Sequence, residues 1–159
     1  MKKFFLLLIV LIFIINLLLA STINWKKYSE AKKLIKNKNK NIILYFYVNT
    51  CIYCQKMKHK VFSKNDIAKH INKYFIPVKI NLQENKIINE NGELKTTIDI
   101  AKYYQVKSTP NTFFINSDNK PITKIPGFAP AKMFKILLKF ILSKSYKNKN
   151  WKAYYTNHK

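Results

Sequence analysis

Arginine is absent from this chain. All 30 basic residues are lysine, against seven Asp and Glu, and the formal net charge is +23. A charge of that size first suggests nucleic acid. The planar guanidinium that reads phosphates and base edges with paired hydrogen bonds is missing, however. The lysines run along the whole chain, mixed with asparagine and isoleucine, a pattern that reads as codon bias in an A+T-rich genome. Nucleic-acid binding is therefore not expected. Attraction to an anionic membrane surface or to acidic partners follows from the charge, without specificity.

Cysteine is nearly as scarce. Cys51 and Cys54 are the only two, and both lie in one motif, Cys51-Ile52-Tyr53-Cys54. With no second pair, a four-cysteine zinc site is excluded, and His59, His70 and His158 are too scattered to complete one. Covalent haem attachment needs histidine directly after the second cysteine, where Gln55 stands. A static disulfide between residues three apart closes so small a loop that it would constrain the unfolded chain little. No metal and no organic cofactor is implied. Acids are also missing from Asn41 to Asn65, the whole neighbourhood of the motif.

What the sequence does contain is a setting for that motif. Ile42 to Val48 is an unbroken apolar run of the kind found in a buried strand, and Gln55 to His70 reads as helix. A Cys-x-x-Cys at a strand-to-helix turn reads as a redox-active dithiol. The helix start places partial positive charge near Cys51, which favours the thiolate, the nucleophile of disulfide exchange.

Residues 1–20 read as a targeting segment. Met1-Lys2-Lys3 is basic, Phe4 to Ala20 is apolar apart from Asn16, and Ala20-Ser21 suits cleavage of a secretory signal. The alternative is an uncleaved membrane anchor formed by residues 4–20. Either reading puts Ser21 to Lys159 outside the cytoplasm, periplasmic or secreted, where the cytosolic reducing systems do not act. Residues 21–143 are expected to form one domain with its own core. Residues 144–159 are expected to form a basic tail in which Tyr146, Trp151, Tyr154 and Tyr155 either fray, pack on the body or touch a partner.

Within the domain, the spacing predicts a helix over Trp25 to Lys36 and the central strand over Asn41 to Val48. The motif helix runs toward Phe62 and restarts near a capping box at Ser63-Lys64-Asn65-Asp66, with Ser63 as cap. A second strand follows over Tyr74 to Ile80. Asn81 to Thr97, with its Asn91-Gly92 turn signal, reads as an irregular insert, a solvated loop rather than a functional one, with a short hairpin as an option. A short helix over Ile98 to Tyr104 leads to the sharp turn Ser108-Thr109-Pro110. Asn111 to Asn116 and Ile122 to Ile125 form a hairpin. A helix from Pro130 to Ser143 buries Phe134, Leu137, Leu138 and Ile141.

This order, with Cys51-Ile52-Tyr53-Cys54 and Thr109-Pro110 ahead of a strand, resembles the thioredoxin-like superfamily from Trp25 to Ser143. Within it the chain is similar to secreted thiol:disulfide oxidoreductases of sulfur-oxidation clusters (SoxW-like). The resemblance implies an α/β thioredoxin-like fold, with a central mixed sheet of about four strands flanked by helices. It implies that Pro110 is cis and lies against the dithiol, and that Gly127 is the glycine before the last helix. It further implies an enzyme in which Cys51 attacks a substrate disulfide and Cys54 resolves the mixed disulfide, with Thr109, Pro110, Ile52 and Tyr53 contacting substrate. The expected partners are protein disulfide substrates and a membrane electron carrier; peripheral or anchored membrane contact is allowed, and the chain reads as a monomer. The family's buried aspartate, six residues before the first cysteine, is replaced by Tyr45. Room for the Asn81–Thr97 insert, but not for a large helical domain, favours a reductase. A disulfide oxidase or isomerase, or a non-catalytic basic binding protein, are the alternatives.

Overall fold

The computed structural model describes residues 21–38, 40–90 and 92–159. The expected targeting segment, residues 1–20, and Asn91 of the expected turn lie outside the described residues. In chain order the elements are helix α1 (Tyr28–Lys38), strand β1 (Asn41–Tyr47), helix α2 (Ile52–Met57) running into a π-helical turn (Lys58–Phe62), helix α3 (Asn65–Tyr74), strand β2 (Phe75–Asn81), strands β3 (Ile87–Glu90) and β4 (Glu93–Thr96), helix α4 (Thr97–Tyr103), strands β5 (Asn111–Ile115) and β6 (Pro121–Pro126), helix α5 (Ala131–Leu142), a 3-10 turn (Ser145–Lys147) and helix α6 (Trp151–Thr156).

The main sheet has the order β2-β1-β5-β6. β1 pairs parallel with β2, from Asn41 opposite Phe75 to Tyr47 opposite Asn81, and antiparallel with β5, with Phe46 opposite Asn111. The parallel pair needs a long crossover, which α2, the π-turn and α3 provide. From Ile42 on, β1 is apolar because it is covered on both faces, and successive side chains leave the strand in opposite directions. Ile42, Leu44 and Phe46 enter one core with Tyr28, Ala31, Ile35, Ile100 and Phe113. Ile43 and Tyr45 enter the other with Met57, Ile71, Phe114, Phe134 and Ile141. Phe46, Phe114 and Phe134 are fully buried. Each such side chain contributes about 1.5–3 kcal/mol relative to exposure.

The Asn81–Thr97 insert does contain a hairpin: β3 and β4 pair with Ile87 opposite Thr96 and Asn89 opposite Leu94. Ile88 packs on the core, while Ile87 and Leu94 face solvent. The insert ends in a capping box. Thr96 Oγ1 accepts from the Asp99 N–H at 3.1 Å, and Asp99 Oδ2 accepts from the Thr96 N–H at 2.9 Å.

The capping box expected at Ser63 does not form. Ser63 keeps helical backbone angles, and its hydroxyl donates to the His59 carbonyl at 2.7 Å. The π-turn carries the chain one residue further, so Lys64 is the cap of α3, with no side-chain cap bond. Asp66 accepts from the Ile67 N–H and pairs with Lys135.

Of the readings open for the tail, the structure takes packing on the body. Phe140 on α5 meets the rings of Trp151 at 5.5 Å and Tyr154 at 4.8 Å, and Tyr154 is buried. Asn150 caps α6 by accepting from the Ala153 N–H at 2.9 Å. Among the described residues no helix is long and apolar enough to cross a membrane.

Candidate active site

β1 ends where Tyr47 pairs with Asn81, and the next residues turn into α2. The turn is fixed at Asn49. Its N–H donates to Gln83 Oε1 at 2.7 Å, and its carbonyl accepts from Gln55 Nε2 at 2.9 Å. Cys51 then takes the cap position of α2, with φ −76° and ψ 114°. Its sulfur stands where a cap oxygen would be and accepts from the Cys54 N–H at 3.1 Å. Both cysteines are free thiols; Cys51 is partly exposed and Cys54 is 3% exposed. Ile52 and Tyr53, between them, are 72% and 56% exposed. Lys56 Nζ lies 5.1 Å from the centre of the Tyr53 ring.

The second half of the site comes from the turn before β5. The Thr109–Pro110 peptide bond is cis. The Cys51 thiol donates to the Thr109 carbonyl at 3.4 Å. Pro110 is buried, and its carbonyl accepts from the Gly127 N–H at 2.7 Å. Gly127 has φ +81°, a conformation side-chain-bearing residues rarely adopt. The Ala129 N–H reaches Met57 Sδ at 3.5 Å, tying the start of α5 to the end of α2. Cys51, Thr109 and Pro110, far apart in sequence, are thus brought together, with Ile52 and Tyr53 exposed on the first turn beside them.

The two thiols differ electrostatically. Burial alone would push Cys51 up, but hydrogen bonds from the Cys54 thiol and N–H, from the Thr109 hydroxyl and from the Tyr53 N–H bring it below the ordinary cysteine value. Burial raises Cys54, and the sulfur of Cys51 raises it further. The more exposed sulfur is therefore the readier thiolate, and the buried one holds its proton. A thiolate of this kind can attack a disulfide, and a second thiol one turn on can displace what is attached.

Tyr45 lies beneath this pair. Its hydroxyl donates to the Cys54 carbonyl at 3.5 Å, and its ring is held by Trp25, Tyr47 and Phe62. Burial, then the Cys54 and Cys51 sulfurs, push the phenol well above its usual range. It is a neutral donor here and not a base. A cavity of about 200 Å³ behind Cys54 is lined by Trp25, Tyr45, Tyr47, Lys58, Phe62 and Lys79, among others. The Tyr45 and Asn49 contacts escape sequence reading because they depend on side-chain placement. Among the described residues no three His, Cys, Asp or Glu side chains gather as metal ligands.

The chain is 23% identical over 112 residues to the disulfide bond reductase DsbH of Chlamydia pneumoniae, a match covering 70% of this chain and 66%, just under two thirds, of that protein. It superposes on a thioredoxin from Thermus thermophilus with a TM-score of 0.63 at 21% identity, over 77% of this chain and 89% of the other. A thioredoxin-fold protein from Helicobacter pylori gives 0.62 at 24% identity, over 75% and 79%. The family profile that matches residues 28–142 describes the thioredoxin-like domain, and with a four-stranded mixed sheet carrying the dithiol turn, the chain belongs to that family.

Proposed function

We propose that the protein is an extracytoplasmic thiol:disulfide oxidoreductase that reduces protein disulfides through Cys51 and Cys54. The observation that carries this reading is the asymmetry of the pair: a partly exposed, acidified Cys51 at the helix start beside the Thr109 carbonyl, with a buried, proton-holding Cys54 one turn behind. The name of the Chlamydia pneumoniae relative, a disulfide bond reductase, supports the same direction.

The Cys51 thiolate attacks one sulfur of a substrate disulfide. The substrate S–S bond breaks, a Cys51–substrate bond forms, and the departing substrate sulfur takes a proton. Cys54 then loses its proton and attacks the Cys51 sulfur, which releases the second substrate thiol. Two electrons pass from the protein dithiol to the substrate, and the protein is left as the Cys51–Cys54 disulfide. Thr109 and Pro110 hold an extended edge beside the sulfur on which a substrate strand can pair. Ile52 and Tyr53 supply apolar contact. No cofactor is needed, because the sulfurs carry the electron pair.

The basic start and apolar run of residues 1–20, read as a signal or anchor, support a site of action outside the cytoplasm. Each turnover leaves a disulfide, so a membrane electron-transfer partner that delivers two electrons completes the cycle. Cys54→Ser tests the scheme. It should accumulate mixed disulfides through Cys51 with extracytoplasmic proteins, mapped by mass spectrometry after non-reducing separation. Cys51→Ser should accumulate none. Folded variants that both fail to trap, or trapping through Cys54 alone, would contradict the scheme.

A further inference from the structure

The segments that meet at Cys51 carry lysine and no acid. Asn49 to Asn65 holds Lys56, Lys58, Lys60 and Lys64; Lys102 to Asn116 holds Lys107, two residues before Thr109; beyond Asn119 there is no Asp or Glu at all. Lys56, Lys58, Lys60 and Lys107 are exposed, and among the described residues none of these four is ion-paired. Glu30 is paired with Lys26 at 3.6 Å, and Asp99 is held by Thr96 in the capping box. Asp118 sits in the turn between β5 and β6, at the end of β5 away from Pro110. Asp66 is paired with Lys135, and Glu93 with Lys95 at 2.9 Å. Glu84, just past β2, reaches the dithiol end of the sheet, and it is paired with Lys86.

Beside these cations stand the exposed Ile52 and Tyr53, the latter with Lys56 over its ring. The nucleophilic sulfur thus stands among exposed apolar side chains, with exposed, unpaired lysines on the adjoining segments. We propose that it selects acidic polypeptides, in which the disulfide to be reduced is flanked by Asp and Glu and by an apolar side chain. This rests on the exchange reading above and names its substrate class. A bilayer resting on the same lysines would cover Cys51, so a polypeptide is the occupant that lets the sulfur work. Unpaired surface charge of one sign raises encounter rates by about 10–1,000-fold at low ionic strength, and salt removes the effect.

The test uses the pre-reduced full chain and three peptides that share one disulfide and differ only in flanking Glu, Gln or Lys. The second-order exchange rate constant is measured in low salt and in about 0.5 M NaCl, where the screening length falls below about 5 Å. The acidic peptide should react about tenfold faster than the neutral one in low salt, with the basic one slowest, and salt should bring all three together. Lys56→Glu with Lys107→Glu should reverse the order; Lys147→Glu with Lys152→Glu, on the tail, should leave it intact. Equal rates, or an order that follows the tail pair instead, would overturn the proposal. Anisotropy of labelled disulfide-free versions reads binding separately. Acidic preference in binding without exchange upholds the charged face and contradicts the exchange reading, whereas exchange without preference does the reverse. Displacement of the acidic peptide by phosphatidylcholine–phosphatidylglycerol vesicles through Lys56 and Lys107 would assign the face to a membrane and overturn the proposal.

Discussion

The Cys51 sulfur and the Thr109 carbonyl oxygen stand 3.4 Å apart, although 58 residues separate them. That contact joins the two halves of the site. One half is made by the turn out of β1, where Cys51 caps a helix. The other is made by the turn into β5, held by the bond from Gly127 to the Pro110 carbonyl at 2.7 Å. β1 and β5 are adjacent antiparallel strands, so both turns fall at the same end of the sheet.

The lowered Cys51 and raised Cys54 predict the order of alkylation. The thiolate fraction grows with pH, so a lowered value moves the labelling curve of Cys51 to below that of an ordinary cysteine, near pH 8.5, and a raised value moves that of Cys54 above it. Near pH 6.5, iodoacetamide should label Cys51 well before Cys54, as read by peptide mass spectrometry. In denaturant the two curves should merge. Earlier labelling of Cys54 in the folded protein would reverse the roles assigned here.

Tyr45 contributes more through its ring than through its hydroxyl. The ring contacts Trp25, Tyr47 and Phe62, while the hydroxyl's hydrogen bond to the Cys54 carbonyl is a long 3.5 Å. Tyr45→Phe should cost less than about 1 kcal/mol. Tyr45→Ala should cost about 3–5 kcal/mol by opening a cavity. Urea unfolding of the reduced protein checks both, and a large loss in Tyr45→Phe would show that the hydroxyl matters more than this geometry allows.

Phe140 clamps the C-terminal segment. Its ring touches Tyr146, Trp151 and Tyr154 and is almost wholly buried. Phe140→Ala should destabilise the protein by about 3–5 kcal/mol. Limited proteolysis should then cut after the tail lysines, beginning with Lys144, sooner than in the parent protein.

Thr96 organises the insert through its reciprocal bonds with Asp99. Thr96→Ala should cost about 1 kcal/mol. Hydrogen exchange should speed up in α4 and the hairpin and stay unchanged in β1 and β5.

Much of this was legible in the sequence, for physical reasons. A central strand covered on both faces must be apolar throughout, and Ile42 to Val48 announces it. The dithiol turn and Thr109-Pro110 mark themselves by residue types that few other settings use. Legibility ended where tertiary contact decides. Ser63 has the right residue type for a cap, yet the π-turn at Lys58–Phe62 shifts the restart by one residue, and no local pattern signals it. The aromatic tail fitted fraying as well as packing until Phe140 was in place beneath it. Thr96 and Asp99 did have the spacing of a capping box, and that signal was readable in the Asn81–Thr97 insert and the helix after it. In the site, the Cys-x-x-Cys gave the chemistry, whereas the Tyr45–Cys54 contact needed the packing of β1 under α2.

The reduction potential of the Cys51–Cys54 pair tests the central claim most directly, because it reports the direction in which electrons flow. Equilibration of the full chain against a graded series of thiol–disulfide buffers, with the oxidised fraction read by alkylation, gives it. A reductant of protein disulfides should lie near about −270 mV, the range of thioredoxin. A value near about −120 mV, that of a strong dithiol oxidant, would contradict the account and assign the protein to disulfide formation.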